Sequence, residues 1–70
     1  MIYFYRPKKI IVEKKINIAI AEDHQIFREA FIYSLKESPD IDVAFGCGNG
    51  IELFALLAKN DVDIVLLDLD

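Results

Sequence analysis

Cysteine is all but missing from this 70-residue chain. The single Cys47 cannot close an internal disulfide, and no metal-type Cys/His spacing can be built around it. The fold must therefore rest on a hydrophobic core, and a reducing cytoplasm is the expected setting. No apolar run approaches the ~18 residues of a membrane span. The opening Met-Ile-Tyr-Phe-Tyr is apolar but is broken by Arg6, Pro7, Lys8 and Lys9, with no small-residue cleavage site, so it does not read as a signal peptide. Internal repeats and low-complexity tracts are missing too. A formal charge of −4 argues against a general affinity for nucleic acid.

What the chain does have is apolar. Hydrophobic residues make up 54% of it, which excludes a disordered segment. Seventy residues allow one small domain, which buries only about 60% of its unfolded surface and has little core to spare. Charge is unevenly placed along it. Residues 1–15 carry Arg6, Lys8, Lys9, Lys14 and Lys15 against Glu13, a local +4, which leaves −8 on residues 16–70. The chain thus divides into a basic extension, 1–15, read as a solvated tail, and an acidic domain, 16–70.

Within that domain, Ile16 to Ala21 is short, apolar and rich in β-branched residues, as a central parallel strand covered on both faces should be. From Gln25 to Glu37, Phe27, Ala30, Phe31 and Leu35 follow the spacing of one helical face, and Pro39 stops the helix. Asp42 to Gly46 reads as a second, weak strand leading into a Gly48-Asn49-Gly50 loop. Ile51 to Lys59 is dense in helix formers, with Asn49 as a candidate cap and Asn60 as a candidate terminator. Asp61 opens the turn into a third strand, Asp63 to Leu67. The pattern is β-α-β-α-β, which predicts parallel strands joined by right-handed crossovers in the order 2-1-3. Phe27, Phe31 and Phe54 are expected in the core, and Cys47 is expected to be buried or half-buried.

Two of the strands release acid at their C-terminal ends, the first at Glu22 and Asp23, the third at Asp68. In open α/β sheets ligands bind outside the carboxyl ends of strands where the order reverses, and that is where strands one and three are neighbours. Three carboxylates then meet in one small space. The loop Glu22-Asp23-His24-Gln25 has no glycine, so no backbone can approach a pyrophosphate and a dinucleotide site is excluded. Mg²⁺ is the natural candidate, because it takes oxygen ligands and is held by one or two carboxylates together with substrate phosphate.

These residues carry a resemblance. Ile18-Ala19-Ile20-Ala21-Glu22-Asp23-His24 with Phe27-Arg28, then Gly48 to Leu53, then Asp63 to Leu69, resemble the receiver domain of bacterial two-component response regulators, particularly the LuxR/NarL type. Residues 16–70 are covered. The resemblance implies a flavodoxin-like fold, with Asp68 as the phosphoacceptor. It also implies a Mg²⁺ ion held by Asp23 directly, by Glu22 through water, by Asp68 and by the backbone carbonyl of Asp70. His24 falls where the family starts a surface helix. The implied partner is a sensor histidine kinase. The chain would act as a phosphorelay module in transcription regulation, not as an enzyme, with no direct contact to nucleic acid or membrane.

The resemblance also sets expectations about what these 70 residues do not hold. A Met-Pro turn, a Ser or Thr on the fourth strand, a Lys on the fifth and a DNA-binding output would all follow Asp70 in such a protein. The isolated chain is therefore expected to be a partial domain that is molten, oligomeric or aggregation-prone, self-associating through a bare third-strand edge and holding no stable aspartyl phosphate. Two alternatives stand beside this reading. One is an inactive interaction fragment of a response regulator. The other is a fragment of a haloacid-dehalogenase-like phosphatase, whose D-x-D nucleophile motif Asp68-Leu69-Asp70 resembles.

Overall fold

Five residues in a row, Ile18 to Ala21 and then Glu22, are buried along one strand, and this continuous burial marks the centre of the sheet. A strand covered on both faces shows no alternation. The structure is a computed structural model that describes residues 2–5 and 15–69. Its elements in chain order are β1 (Ile2–Tyr5), β2 (Ile16–Glu22), α1 (Gln25–Lys36), β3 (Ile41–Cys47), α2 (Gly50–Leu57) and β4 (Ile64–Asp68). The sheet runs β1-β4-β2-β3. The central strand β2 pairs in parallel with both β3 and β4. These three strands reproduce the 2-1-3 order, with a helix in each crossover, and form a truncated flavodoxin-like fold.

The two helices take opposite faces. On β3, Gly46 faces α1: a Cβ there would lie 2.7 Å from Ile32 Cδ1 and 3.5 Å from the Arg28 stem. A residue without a side chain therefore lets α1 come close to the sheet. The adjacent Cys47 points the other way, into a core with Ala19, Ala21, Leu53, Val62 and Val65, against which Leu56, Leu57 and Leu67 also pack. That is the α2 face. A bulge between Ile18 and Ala19 shifts the β2–β3 register, so that Ile18 stands opposite Val43 and Ala19 opposite Phe45.

Helix ends follow the local chemistry. The Asn49 side chain accepts from Glu52 N at 2.8 Å, and its amide donates to Glu52 Oε1 at 3.1 Å, a reciprocal cap that starts α2. Asn60 closes the other end by donating from Nδ2 to Leu56 O at 2.8 Å. His24 is the N-cap of α1 but makes no side-chain cap bond. The edge strand β3 is longer than expected. It runs seven residues because parallel pairing with β2 outweighs the weak strand propensity of its own sequence.

Two expectations are corrected. The third strand of the βαβαβ unit, β4, is not a bare edge, because β1 pairs with it antiparallel from Ile2↔Leu67 to Tyr5↔Ile64. The apolar start of the extension thus ends in the sheet instead of in solvent. The aromatic residues are less buried than their spacing implied. Phe27 is 59% exposed and Phe54 76% exposed, and Phe31 is only half-buried. Phe54 lies about 100° around α2 from Leu53, the residue that docks. Phe27 and Phe31 sit on the side of α1 that borders β4, and together with Ala30, Ser34 and Asp68 they line an open apolar groove of about 300 Å³.

At the base of the sheet, Asp63 is buried and bonded to β2 in both directions. Asn17 N donates to Asp63 Oδ2 at 2.8 Å, and Asp63 N donates to Asn17 O at 2.8 Å. Replacing Asp63 with Ala orphans a backbone donor and should lower the unfolding free energy by about 1–3 kcal/mol. The readout is the urea midpoint, and an unchanged midpoint would show that the pair carries no weight. Removing residues 1–15 uncovers the Ile64–Leu67 edge. The shortened chain should form concentration-dependent oligomers in sedimentation where the full chain does not.

Candidate functional site

Parallel pairing carries β2 and β4 to the same end of the sheet, and their register places Glu22 directly opposite Asp68. Neighbouring strands lie about 4.8 Å apart and registered side chains share a face, so the acid that ends one strand stands beside the acid that ends the other. Both lie on the α1 face. Glu22 is only 2% exposed. Asp68 is exposed and forms the polar end of the groove under Phe27 and Phe31.

The chain turns into α1 over the next two residues, and this turn folds Asp23 and His24 back toward Glu22. His24 N donates to Glu22 Oε1 at 3.3 Å, and its Nδ1 lies 3.0 Å from the same oxygen and 3.2 Å from Asp23 Oδ1. The ligand atoms of Glu22, Asp23 and His24 all fall within 4.8 Å of one another. Asp68 is not a member of that tight group; it joins the site through the register of the sheet. Asp70, expected to offer its backbone carbonyl, lies outside the described residues.

Two further observations set the electrostatics. Glu22 Oε2 is buried and has no hydrogen-bond partner among the described residues. A buried carboxylate oxygen left without a donor is costly, and a cation is the most direct remedy. Arg28, one turn into α1, donates from Nη1 to Glu22 O at 2.7 Å, a charge-assisted bond that ties the helix to the end of β2. Its guanidinium also reaches toward Gly48, where a Cβ would lie 3.1 Å from Nη1, so it spans the β2–α1 and β3–α2 loops. The signal for His24 and Arg28 was present in the sequence only as position. Nothing in residue type alone says that an N-cap imidazole turns toward the acid that ends the strand or that a helix arginine reaches a strand carbonyl.

The arrangement is that of a doubly wound α/β protein with an acidic site at the carboxyl end of its central strands. Comparison with known proteins gives this class a family. The chain is 33% identical over 54 residues to the uncharacterized transcriptional regulatory protein YxjL of Bacillus subtilis, covering 77% of this chain and 25% of that one. It is 34% identical over 58 residues to the transcriptional regulatory protein DegU of Brevibacillus brevis, covering 83% and 25%. It is 35% identical over 54 residues to a protein-glutamate methylesterase/protein-glutamine glutaminase of Nitrosospira multiformis, covering 77% and 15%. The chain is homologous to response regulators and corresponds to part of their receiver domain. It spans a quarter or less of the length of these relatives. No family model and no solved structure matches it. Among the described residues, no helix is long and apolar enough to cross a membrane.

Cys47 ends β3 close to this site but belongs to the core. It is 2% exposed, with its Sγ 3.8 Å from Asn49 O. Burial, and after it the Glu52 carboxylate, push the thiol above its ordinary pKa. A raised folded-state value favours the neutral thiol, so its contribution to stability is complete below the unfolded-state pKa and is lost as pH rises through the folded-state one. Alkylation of Cys47 should be much slower in the native chain than in urea. Alkaline loss of stability should be smaller in Cys47→Ala than in the parent, as followed by circular dichroism across a pH series.

Proposed function

We propose that this chain carries the phosphoacceptor site of a two-component receiver module of the LuxR/NarL type, with Asp68 as the residue phosphorylated. The observation that carries the reading is the in-register pair Glu22↔Asp68, with Asp23 adjoining it. Asp68 is the exposed member, open to a phosphodonor through the groove, and Glu22 is the buried one. A carboxylate oxygen of Asp68 attacks phosphorus, forming an O–P bond as the bond from phosphorus to the donor's leaving atom breaks. The donor is the phosphohistidine of a sensor histidine kinase, whose imidazole leaves.

Mg²⁺ is the ion the residues fit. The donors are hard carboxylate oxygens, and the orphaned Glu22 Oε2 supplies a buried negative charge that needs a counter-ion. Asp23 would bind the ion directly, Glu22 through water, and Asp68 and the carbonyl of Asp70 would complete the protein's share. When bound, the ion neutralises charge on the transferring phosphoryl group. Transcription regulation is the output that the names of the relatives attach to such a module. The similarity to transcriptional regulatory proteins supports this module over a phosphatase or an inert fragment.

The test is labelling by a small phosphodonor such as acetyl phosphate. The chain should acquire a transient, hydroxylamine-sensitive label that requires Mg²⁺, and Asp68→Asn should abolish it. A label that persists in Asp68→Asn would remove Asp68 from this role.

A further inference from the structure

The β2–β3 register ends with Ala21↔Cys47, one residue before β2 delivers its acids. Backbone groups along a strand face its two neighbours in alternation. Ile16 N donates to Asp40 O on the β3 side, and Asn17 exchanges bonds with Asp63 on the β4 side. By that alternation the carbonyl of Glu22 faces β3, at a level where the chain has already left β3 for the turn at Gly48. A side chain supplies the donor instead, since Arg28 Nη1 reaches this carbonyl at 2.7 Å. We propose that Arg28 is a positioning residue for the metal ion: its guanidinium replaces the next rung of β3 and holds the end of β2, with Glu22 and Asp23, in the arrangement the ion requires. The inference deepens the metal-site reading above and rests on it.

The bond is placed to do this. The carbonyl of Glu22 and the N–H of Asp23 belong to one planar trans peptide. Holding the first fixes the plane of both, and so the direction in which the chain carries Asp23 away from the strand. A charge-assisted bond is shorter and roughly twice as strong as a neutral one. The arginine is itself confined by two glycines at the end of β3. Its Cγ and Cδ lie 3.5 Å from where a Cβ of Gly46 would stand, and Nη1 lies 3.1 Å from the corresponding point at Gly48. Neither glycine has a positive φ, so backbone conformation does not demand glycine at either position. Room for the arginine, and for Ile32 beside Gly46, does.

Charge alone predicts the opposite effect. A guanidinium near a cation site repels the ion, so an arginine acting only through its charge would weaken Mg²⁺ binding, and its removal would tighten it. Loss of the held peptide weakens binding. The sign of the change therefore separates the two roles.

The test compares the full chain with Arg28→Met, which keeps most of the stem, and with Arg28→Lys, which keeps the charge and a donor. Mg²⁺ affinity is read by calorimetry, amide exchange by NMR on the metal-free chain, and fold by circular dichroism. Arg28→Met should lose about tenfold or more in Mg²⁺ affinity, in the range of other outer-shell partners of a metal, and Arg28→Lys should recover most of that loss. Without metal, the Asp23 amide should exchange faster in Arg28→Met by about tenfold or more, while that of Ala19, deeper in β2, holds its rate. Gly48→Ala crowds Nη1 without removing it; it should weaken Mg²⁺ binding in the same direction and carries the test if Arg28→Met does not fold. Unchanged or tighter Mg²⁺ binding in the folded variants would overturn the proposal, as would unaltered exchange at Asp23 or an equal loss in Arg28→Met and Arg28→Lys. Absence of Mg²⁺ binding by the parent chain would instead sink the metal site itself, a separate outcome.

Discussion

The parallel pairing of β2 with β4 is the constraint on which the rest of this structure depends. It is locked at its base by the reciprocal bonds between Asn17 and Asp63. From there five registered pairs run upward, from Ile18↔Ile64 to Glu22↔Asp68. A slip of one residue would send every β4 side chain to the opposite face. Val65 and Leu67 would leave the α2 core, and Asp68 would turn away from Glu22. The same bonds that stabilise the bottom of the sheet therefore align the carboxylates at its top, about a strand length away.

The acids depend on α1 as well. Glu22 ends the central strand, where burial is deepest, and a charged group there needs compensation from the next few residues. The chain provides part of it within six positions. His24 turns its backbone N–H and its ring toward Glu22 Oε1, while Arg28 takes the Glu22 carbonyl and leaves the carboxylate to the site. Gly46 makes this approach feasible by opening space for Ile32 and the Arg28 stem, so that α1 can lie close enough for its first turn to reach β2. Site and packing are one arrangement here, because the residue that ties the helix to the sheet also touches the site.

Much of this was legible in the sequence, for physical reasons. The run Ile16 to Ala21 and the apolar spacing of α1 and α2 are strong periodic signals, and the Asn49 cap and Asn60 terminator act through local bonds that a sequence can show. The meeting of Glu22 with Asp68 followed from strand order alone. What escaped depends on partners remote in sequence. Asp63 looked like one more acid at a strand start until Asn17, 46 residues away, proved to be its donor. Ile2–Tyr5 looked like the start of a basic tail because its pairing partner lies at the far end of the chain. Phe27 and Phe54 carry a core composition, but exposure is set by what packs above a helix, and composition does not report that.

The position of β1 bears on how such a sheet can grow. In the flavodoxin-like order the strand after β4 adds in parallel on the far side of β4 from β2. That is the edge β1 occupies, antiparallel, over Ile64 to Leu67. A strand edge offers one row of backbone donors and acceptors, and one partner satisfies it. While β1 is paired, no parallel strand can add there, and a fourth parallel strand would have to displace it. Displacement exchanges one ladder for another, so the hydrogen bonds nearly cancel. Burial decides the outcome, and a β-α unit that also covered the groove beside Phe27, Phe31 and Asp68 would bury apolar surface that β1, confined to the edge, leaves open.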